Sequence, residues 1–162
     1  MNPKSNVLFV FIVVLLFCSC DKKRVFDEYQ TVGTGWKKNS MIVFNLPKLD
    51  TTQKFNLFLN LRANDDYKFN NLFLIVSMEE PNGRTQVDTL EYLMAAPDGT
   101  LLGEGFSDIK ESKLFYKANK KFKSSEKNKV TIRQVVRQTG KITGVENLEG
   151  ITEVGFRIES LE

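Results

Sequence analysis

Few residues of this 162-residue chain could do chemistry, and their types exclude more than they allow. There is no histidine, which removes Ser-His-Asp and Cys-His catalysis and every histidine-ligated metal centre. The two cysteines sit close together in Phe17-Cys18-Ser19-Cys20, and no thiol follows them. Asp65-Asp66 beside Asn64 could begin an oxygen-ligand calcium site, but calcium takes about six or more oxygens and no spaced run of acids supplies them. An Asx turn is the expected use of those residues. Glu79-Glu80 could be half of a glycosidase pair, which needs two carboxylates about 5 to 9 Å apart. No aromatic subsite pattern accompanies them, so they are expected to be a solvated edge beside a turn. No catalytic residue, metal ligand or cofactor is assigned, and the chain is not expected to be an enzyme.

The strongest local charge lies between Lys110 and Lys129, where eight lysines face only Glu111 and Glu126. Phe115, Tyr116 and Phe122 are interleaved with them. In a cytoplasmic protein that mixture would suit nucleic acid; the leader described next removes that option. Lys113, Lys117, Lys120, Lys121 and Lys123 are therefore candidates for contact with a partner protein or an anionic surface. The plain alternative is a solvated loop and an edge strand guarded by lysine. Trp36, after Gly33 and Gly35, is either an exposed partner anchor or, more commonly in an all-β domain, core.

Position in the chain decides what the cysteines do. Lys4 precedes eleven uninterrupted apolar residues, Val7 to Phe17, and Asp21-Lys22-Lys23-Arg24 closes the run. As a helix eleven residues rise about 16 Å, whereas a bilayer core takes about 20 apolar residues to cross. A positive start, a short apolar stretch and a small-residue exit mark a cleaved secretory signal. The residues up to Cys20 look like a bacterial lipobox, in which a small residue precedes the acylated cysteine. Ser19 fits that position, while Phe17 departs from the usual leucine. A plain signal cut elsewhere and an uncleaved anchor are the alternatives. The lipobox reading divides the chain into a signal peptide at 1–19, a lipidated amino terminus and short linker at 20–25, and one domain at 26–162. It leaves no free thiol. Lys4 is the only charge removed, so the mature net charge of +2 says little about partners.

The remaining chain reads as short strands separated by turn chemistry. Val25 to Val32 is a first strand, Gly33-Thr34-Gly35 a turn, and Met41 to Leu46 a second apolar run ended by Pro47. Phe55, Leu57, Leu59 and Leu61 alternate with Asn56, Phe58, Asn60 and Arg62, the period of a strand with one buried face. Phe58 on the polar side calls for a covering neighbour. Asn71 to Met78 is so apolar that both its faces are expected to be covered. Pro81-Asn82-Gly83 is the clearest hairpin turn, returning through Thr85 to Met94 with Asp88, Leu90, Tyr92 and Met94 on the better core face. Pro97-Asp98-Gly99 is another turn, and Gly103 and Gly105 mark an irregular edge. One strand and a loop fill the lysine-rich part. Val130 to Val136 is a further strand, Gln138 to Gly150 a loop with one helical turn, and Val154, Phe156 and Ile158 define the last strand. No segment sustains helical periodicity. The fold class is all-β, an antiparallel β-sandwich of jelly-roll or immunoglobulin-like type.

Three ordered blocks carry a family resemblance. The first is Tyr67-Lys68-Phe69-Asn70-Asn71-Leu72-Phe73-Leu74 after Asn64-Asp65-Asp66. The second is Asp88-Thr89-Leu90-Glu91-Tyr92 with Pro97-Asp98-Gly99-Thr100-Leu101-Leu102-Gly103-Glu104-Gly105. The third is Ile132-Arg133-Gln134-Val135-Val136-Arg137 with Gly144-Val145 and Glu153-Val154-Gly155-Phe156-Arg157-Ile158-Glu159. With the lipobox, these blocks resemble the gliding-motility lipoprotein GldH family of Bacteroidetes-type bacteria. That resemblance implies a cell-envelope lipoprotein that supports gliding and the linked type IX secretion machinery through other envelope proteins. It implies no catalytic residues, only acylation, which falls on Cys20. It also favours the periplasmic face of the outer membrane over the inner membrane. The alternative function is a carbohydrate-binding or polysaccharide-degrading envelope lipoprotein. That reading requires exposed, stacked aromatics among Trp36, Tyr67, Tyr92 and Tyr116.

Overall fold

The computed structural model describes residues 21–105 and 108–161; the leader and Cys20 lie outside the described residues. Ten strands follow one another: β1 (Arg24–Thr31), β2 (Trp36–Lys37), β3 (Ile42–Asn45), β4 (Phe55–Ala63), β5 (Asn71–Glu79), β6 (Thr85–Leu93), β7 (Lys110–Lys120), β8 (Lys129–Gln134), β9 (Asn147–Leu148) and β10 (Ile151–Ser160). No helix occurs among the described residues. The chain is all-β.

Two four-stranded antiparallel sheets form the sandwich, in the orders β1-β10-β4-β7 and β3-β8-β5-β6, and β2 and β9 pair as a separate ribbon. Counting only the eight long strands, these orders are 1-8-3-6 and 2-7-4-5. This is the jelly-roll arrangement rather than the immunoglobulin one. First pairs with last, second with seventh, third with sixth and fourth with fifth, so the chain is one long hairpin rolled up on itself. Its tip is the Pro81-Asn82-Gly83 turn. There Gly83 adopts φ +80° and donates its N–H to the Glu80 carbonyl at 2.9 Å, and the Arg84 N–H bonds the Asn82 side chain at 2.9 Å. A side chain at that φ is strained, which is why glycine ends the turn.

Period-two alternation builds the core. On β4 the odd positions Phe55, Leu57, Leu59 and Leu61 are buried, and on β10 so are Val154, Phe156 and Ile158. From the second sheet come Phe44, Leu72, Leu74, Val76, Met78, Val130 and Ile132, all buried. Phe156 is the central ring, 6.1 Å from Phe44 across the sandwich and 6.5 Å from Tyr116 on its own sheet. Each such side chain contributes about 1.5 to 3 kcal/mol on burial.

Two sequence expectations need correction. The outward residues of β5, among them Phe73 and Ile75, are only half-buried, because among the described residues no third layer lies over that sheet. An apolar run bounded by turns looks the same from sequence whether one face or two are covered. The 138–150 segment carries no helical turn; it folds back so that Leu148 pairs with Trp36, and Asn147 with Lys37. The turn from β9 into β10 uses Gly150 at φ +83°, packed directly against the Tyr67 backbone.

Candidate interaction surfaces

Outward positions of the first sheet carry most of its charge, and the register brings them together. Arg157 on β10 donates through Nη1 to Asp27 of β1 at 2.7 Å and through Nε to Glu159 at 2.6 Å, and it also binds Asp21. Glu159 in turn accepts from Lys113 of β7 at 2.6 Å. A second arginine, Arg62 on β4, reaches Glu111 at 2.8 Å and Glu153 at 2.5 Å. Its guanidinium lies 4.4 Å above the Tyr29 ring. The Tyr29 hydroxyl donates to Glu111 at 2.9 Å and accepts from the buried Asn60 amide at 2.9 Å. Gly155 makes room for that tyrosine, since a Cβ there would stand 2.9 Å from the ring.

Electrostatics follow from this lattice. Burial raises the Glu159 carboxyl, but hydrogen bonds from Lys113 and Arg157 outweigh it and hold the group below its usual range. Glu111 is held low in the same way, with burial opposed by Arg62 and Tyr29. Burial, reinforced by the bond to Glu111, pushes the Tyr29 hydroxyl up to about 12. The groups are held as partners of one another, tying the four strands of the sheet together on its outer face. Apolar surface emerges beside this lattice at Phe58 and Phe115. Lys113 sits 4.2 Å over Phe58, whose ring meets Phe115 edge-on at 5.8 Å, and Phe115 is 53% exposed. Phe58 thus has its covering neighbour.

Because these carboxylates are held low when folded, the stability they supply is present above the ordinary carboxylate value of 4.5. It is lost as pH falls through their lowered values. A melting series from pH 7 to pH 3 is expected to be flat down to about 5 and to fall steeply below it. Glu159→Gln should flatten the acid limb, and an unchanged limb would count against the lattice.

The five candidate lysines separate into two groups. Lys113 belongs to the lattice. Lys117 pairs with Asp88 of β6 at 2.7 Å, and the Tyr116 hydroxyl donates to the same oxygen at 2.6 Å. With the Tyr92 hydroxyl on the Phe115 carbonyl at 2.8 Å, these contacts clasp the edges of the two sheets together. Burial and the Asp88 carboxylate raise the Tyr116 pKa strongly. Lys120, Lys121 and Lys123 lie apart, where β7 runs into the 121–128 loop. Among the described residues none of the three is in an ion pair. Lys121 and Lys123 are exposed, and burial with the nearby Lys117 lowers the Lys120 pKa.

Other singled-out residues have structural places. Trp36 is fully buried, its indole N–H bonding the Ser40 carbonyl at 3.0 Å. Asn64 closes an Asx turn on the Asp66 N–H at 3.1 Å. Glu79, at the end of the interior strand β5, pairs with Lys129 of its neighbour β8 rather than guarding a sheet edge. Tyr67 and Tyr116 are buried and Tyr92 packs against the core, so these aromatics form no exposed stacked platform. Gln134 escaped sequence reading. Fully buried, it donates to the Val145 carbonyl at 2.8 Å and accepts from the Val136 N–H at 3.0 Å, fastening the β9 segment. Its signal was a lone amide in line with the inward residues Val130 and Ile132.

The sequence matches a known family. The model of the GldH lipoproteins covers residues 24–158, nearly all of the sandwich. The chain belongs to the GldH lipoprotein family. The gliding motility lipoprotein GldH of Flavobacterium johnsoniae is 63% identical over 159 residues, covering 98% of each chain. A GldH homolog from Christiangramia forsetii is 52% identical, again over 98% of both chains. Among solved structures, a family GH115 4-O-methyl-alpha-glucuronidase resembles 89% of this chain at a TM-score of 0.44 and 11% identity. The chain spans only 18% of that enzyme, and the likeness carries nothing about the chemistry of a GldH protein.

Proposed function

We propose that this chain is a non-catalytic lipoprotein of the bacterial cell envelope, acylated at Cys20, that supports gliding motility and the associated type IX secretion machinery by docking other envelope proteins. The observation that carries this is the match to GldH proteins along 98% of the chain. The absence of histidine is in keeping with a non-catalytic role, since it removes histidine-based acid–base and nucleophilic machinery. So is the first-sheet lattice, whose charged groups are committed to one another. The protein faces the periplasm, with the outer membrane favoured over the inner. The half-exposed Phe115 and the uncovered outer face of β5 and β6, with Val87 and Leu93 exposed, are surfaces for protein partners.

Deleting the gene is the test. Spreading on agar and release of type IX cargo are both expected to stop, and a plasmid copy should restore them. A deletion strain that spreads and secretes normally would refute the role. Loss of growth on one polysaccharide alone would favour the carbohydrate reading instead.

A further inference from the structure

The two ends of the sandwich differ in charge. Within the first sheet, Arg24 pairs with Glu159, Phe55 with Ser160 and Phe55 with Lys120, so the start of β1 and β4 and the end of β7 and β10 share one end. In the second sheet, Lys129 pairs with both Asn45 and Glu79 at the corresponding end. The loops 46–54 and 121–128 join the sheets there, and Phe55 meets Phe122 at 5.9 Å. The segments 21–24, 45–54, 79–85 and 120–129 forming this end hold eleven Lys and Arg against five acids, a net of +6. The described segments of the opposite end, 32–41, 64–70, 94–105 with 108–109, and 135–150, carry a net of −2.

Three of the five acids at the basic end are engaged, while Glu80 lies near Lys120 and Asp50 near Lys121. Glu79 binds Lys129, Asp21 binds Arg157, and Asp50 accepts from the Thr52 N–H at 2.8 Å. Lys54, Lys120, Lys121 and Lys123 are in no ion pair among the described residues. The same end holds Asp21, the residue after Cys20. Asp21 is held by Arg157, and the Lys23 carbonyl accepts from the Ser160 N–H at 2.8 Å. Successive Cα atoms stand about 3.8 Å apart. An acyl group on Cys20 therefore cannot act as a long leash. It brings this end within a Debye length, about 8 Å, of the headgroups.

We infer that the Lys54, Lys120, Lys121 and Lys123 end of the sandwich is a second membrane contact, seated on anionic phospholipid headgroups of the leaflet that holds the acyl chains. This rests on acylation at Cys20 as proposed above. It fixes the orientation of the domain: strands stand away from the bilayer and the opposite end points into the periplasm. The acyl chains alone retain the protein; the basic end adds orientation, since charge on one end of the domain draws that end onto an anionic surface. Each lysine close to an anionic surface strengthens attachment about five-fold.

Lysine acetylation read by mass spectrometry tests the orientation. The lipidated full-length protein is placed in vesicles of phosphatidylcholine alone, or of phosphatidylcholine with phosphatidylglycerol. Lys54, Lys120, Lys121 and Lys123 are expected to react about five-fold more slowly on the anionic vesicles, recovering at high salt. Lys37 and Lys141, at the other end, should react equally on both. The triple variant Lys120→Glu, Lys121→Glu, Lys123→Glu should abolish the protection of Lys54. Equal reactivity on both vesicles would overturn the inference, as would equal slowing at both ends. Protection seen only in native membranes would assign this end to an acidic protein and overturn it too. Protein that fails to stay on neutral vesicles would instead refute the Cys20 anchor, and this inference with it.

Discussion

Replacing Cys20 with alanine is expected to transfer the protein from the salt-washed membrane pellet to the soluble extract. Each buried methylene contributes about 0.8 kcal/mol, so two or three acyl chains hold effectively irreversibly where one holds marginally. With no acylated cysteine, only the charge of the basic end remains. That attraction is screened at high salt, where the Debye length falls to about 3 Å at 1 M. The variant should therefore pellet weakly at low salt and not at all at high salt, while the parent resists both washes. Its melting temperature should not change, because Cys20 precedes the first ladder residue, Arg24. Spreading should be lost although a folded domain is still made. A variant that pellets as firmly as the parent, or a parent amino-terminal peptide with an unmodified thiol, would dispose of the anchor.

The largest stability effect is expected at Gly150. Its φ of +83° is costly for any L side chain, and a Cβ would stand 2.0 Å from the Tyr67 amide nitrogen and 2.4 Å from its Cα. Both atoms are backbone, so nothing rotates aside. Neighbouring bonds fix the contact from both sides: the Asn64 N–H donates to the Gly150 carbonyl at 2.8 Å, and the Tyr67 N–H to the Asn64 carbonyl at 3.0 Å. Gly150→Ala should cost about 4 kcal/mol, lowering the melting temperature by roughly 10 to 15 °C. Gly140→Ala is the control. Its φ is +80° with nothing within 4 Å of the added carbon, so it bears only the backbone term of about 1 kcal/mol. If the two variants melt together, the close approach at Gly150 does not exist.

Legibility of the sequence followed the range of the interaction. The alternation of β4 and β10 named the core face residue by residue, since a side-chain period of two is a local property. The Asn82-Gly83 turn was equally plain because its φ requirement is local. Strand partners were not. β1 pairs with β10 across most of the chain, and nothing in Val25 to Val32 encodes that neighbour. The choice between jelly-roll and immunoglobulin-like pairing was open for the same reason. The first-sheet lattice was hidden too: Asp27, Arg62, Glu111 and Arg157 are ordinary outward charges on four strands until the register places them side by side. The lysine-rich stretch was visible as composition, but the division between Lys113 and Lys117, which are paired, and Lys120, Lys121 and Lys123, which are not, depends on where Glu159 and Asp88 arrive. The ribbon of β2 and β9 is two residues long on each side, below what any pattern resolves.

One consequence concerns mechanical load. The strand nearest the proposed attachment point at Cys20, β1, is joined to the rest by a ladder running from Arg24–Glu159 to Thr31–Glu153. A pull applied to the sandwich by a neighbour, and resisted at residue 20, is directed along that strand rather than across it. The bonds of the ladder would then be strained together in shear, instead of opening one after another like a zipper. The clamp of Arg157 on Asp21 and Asp27 adds two further links along the same line. A domain hung in this way can transmit traction between a moving apparatus and the lipid layer without being peeled apart.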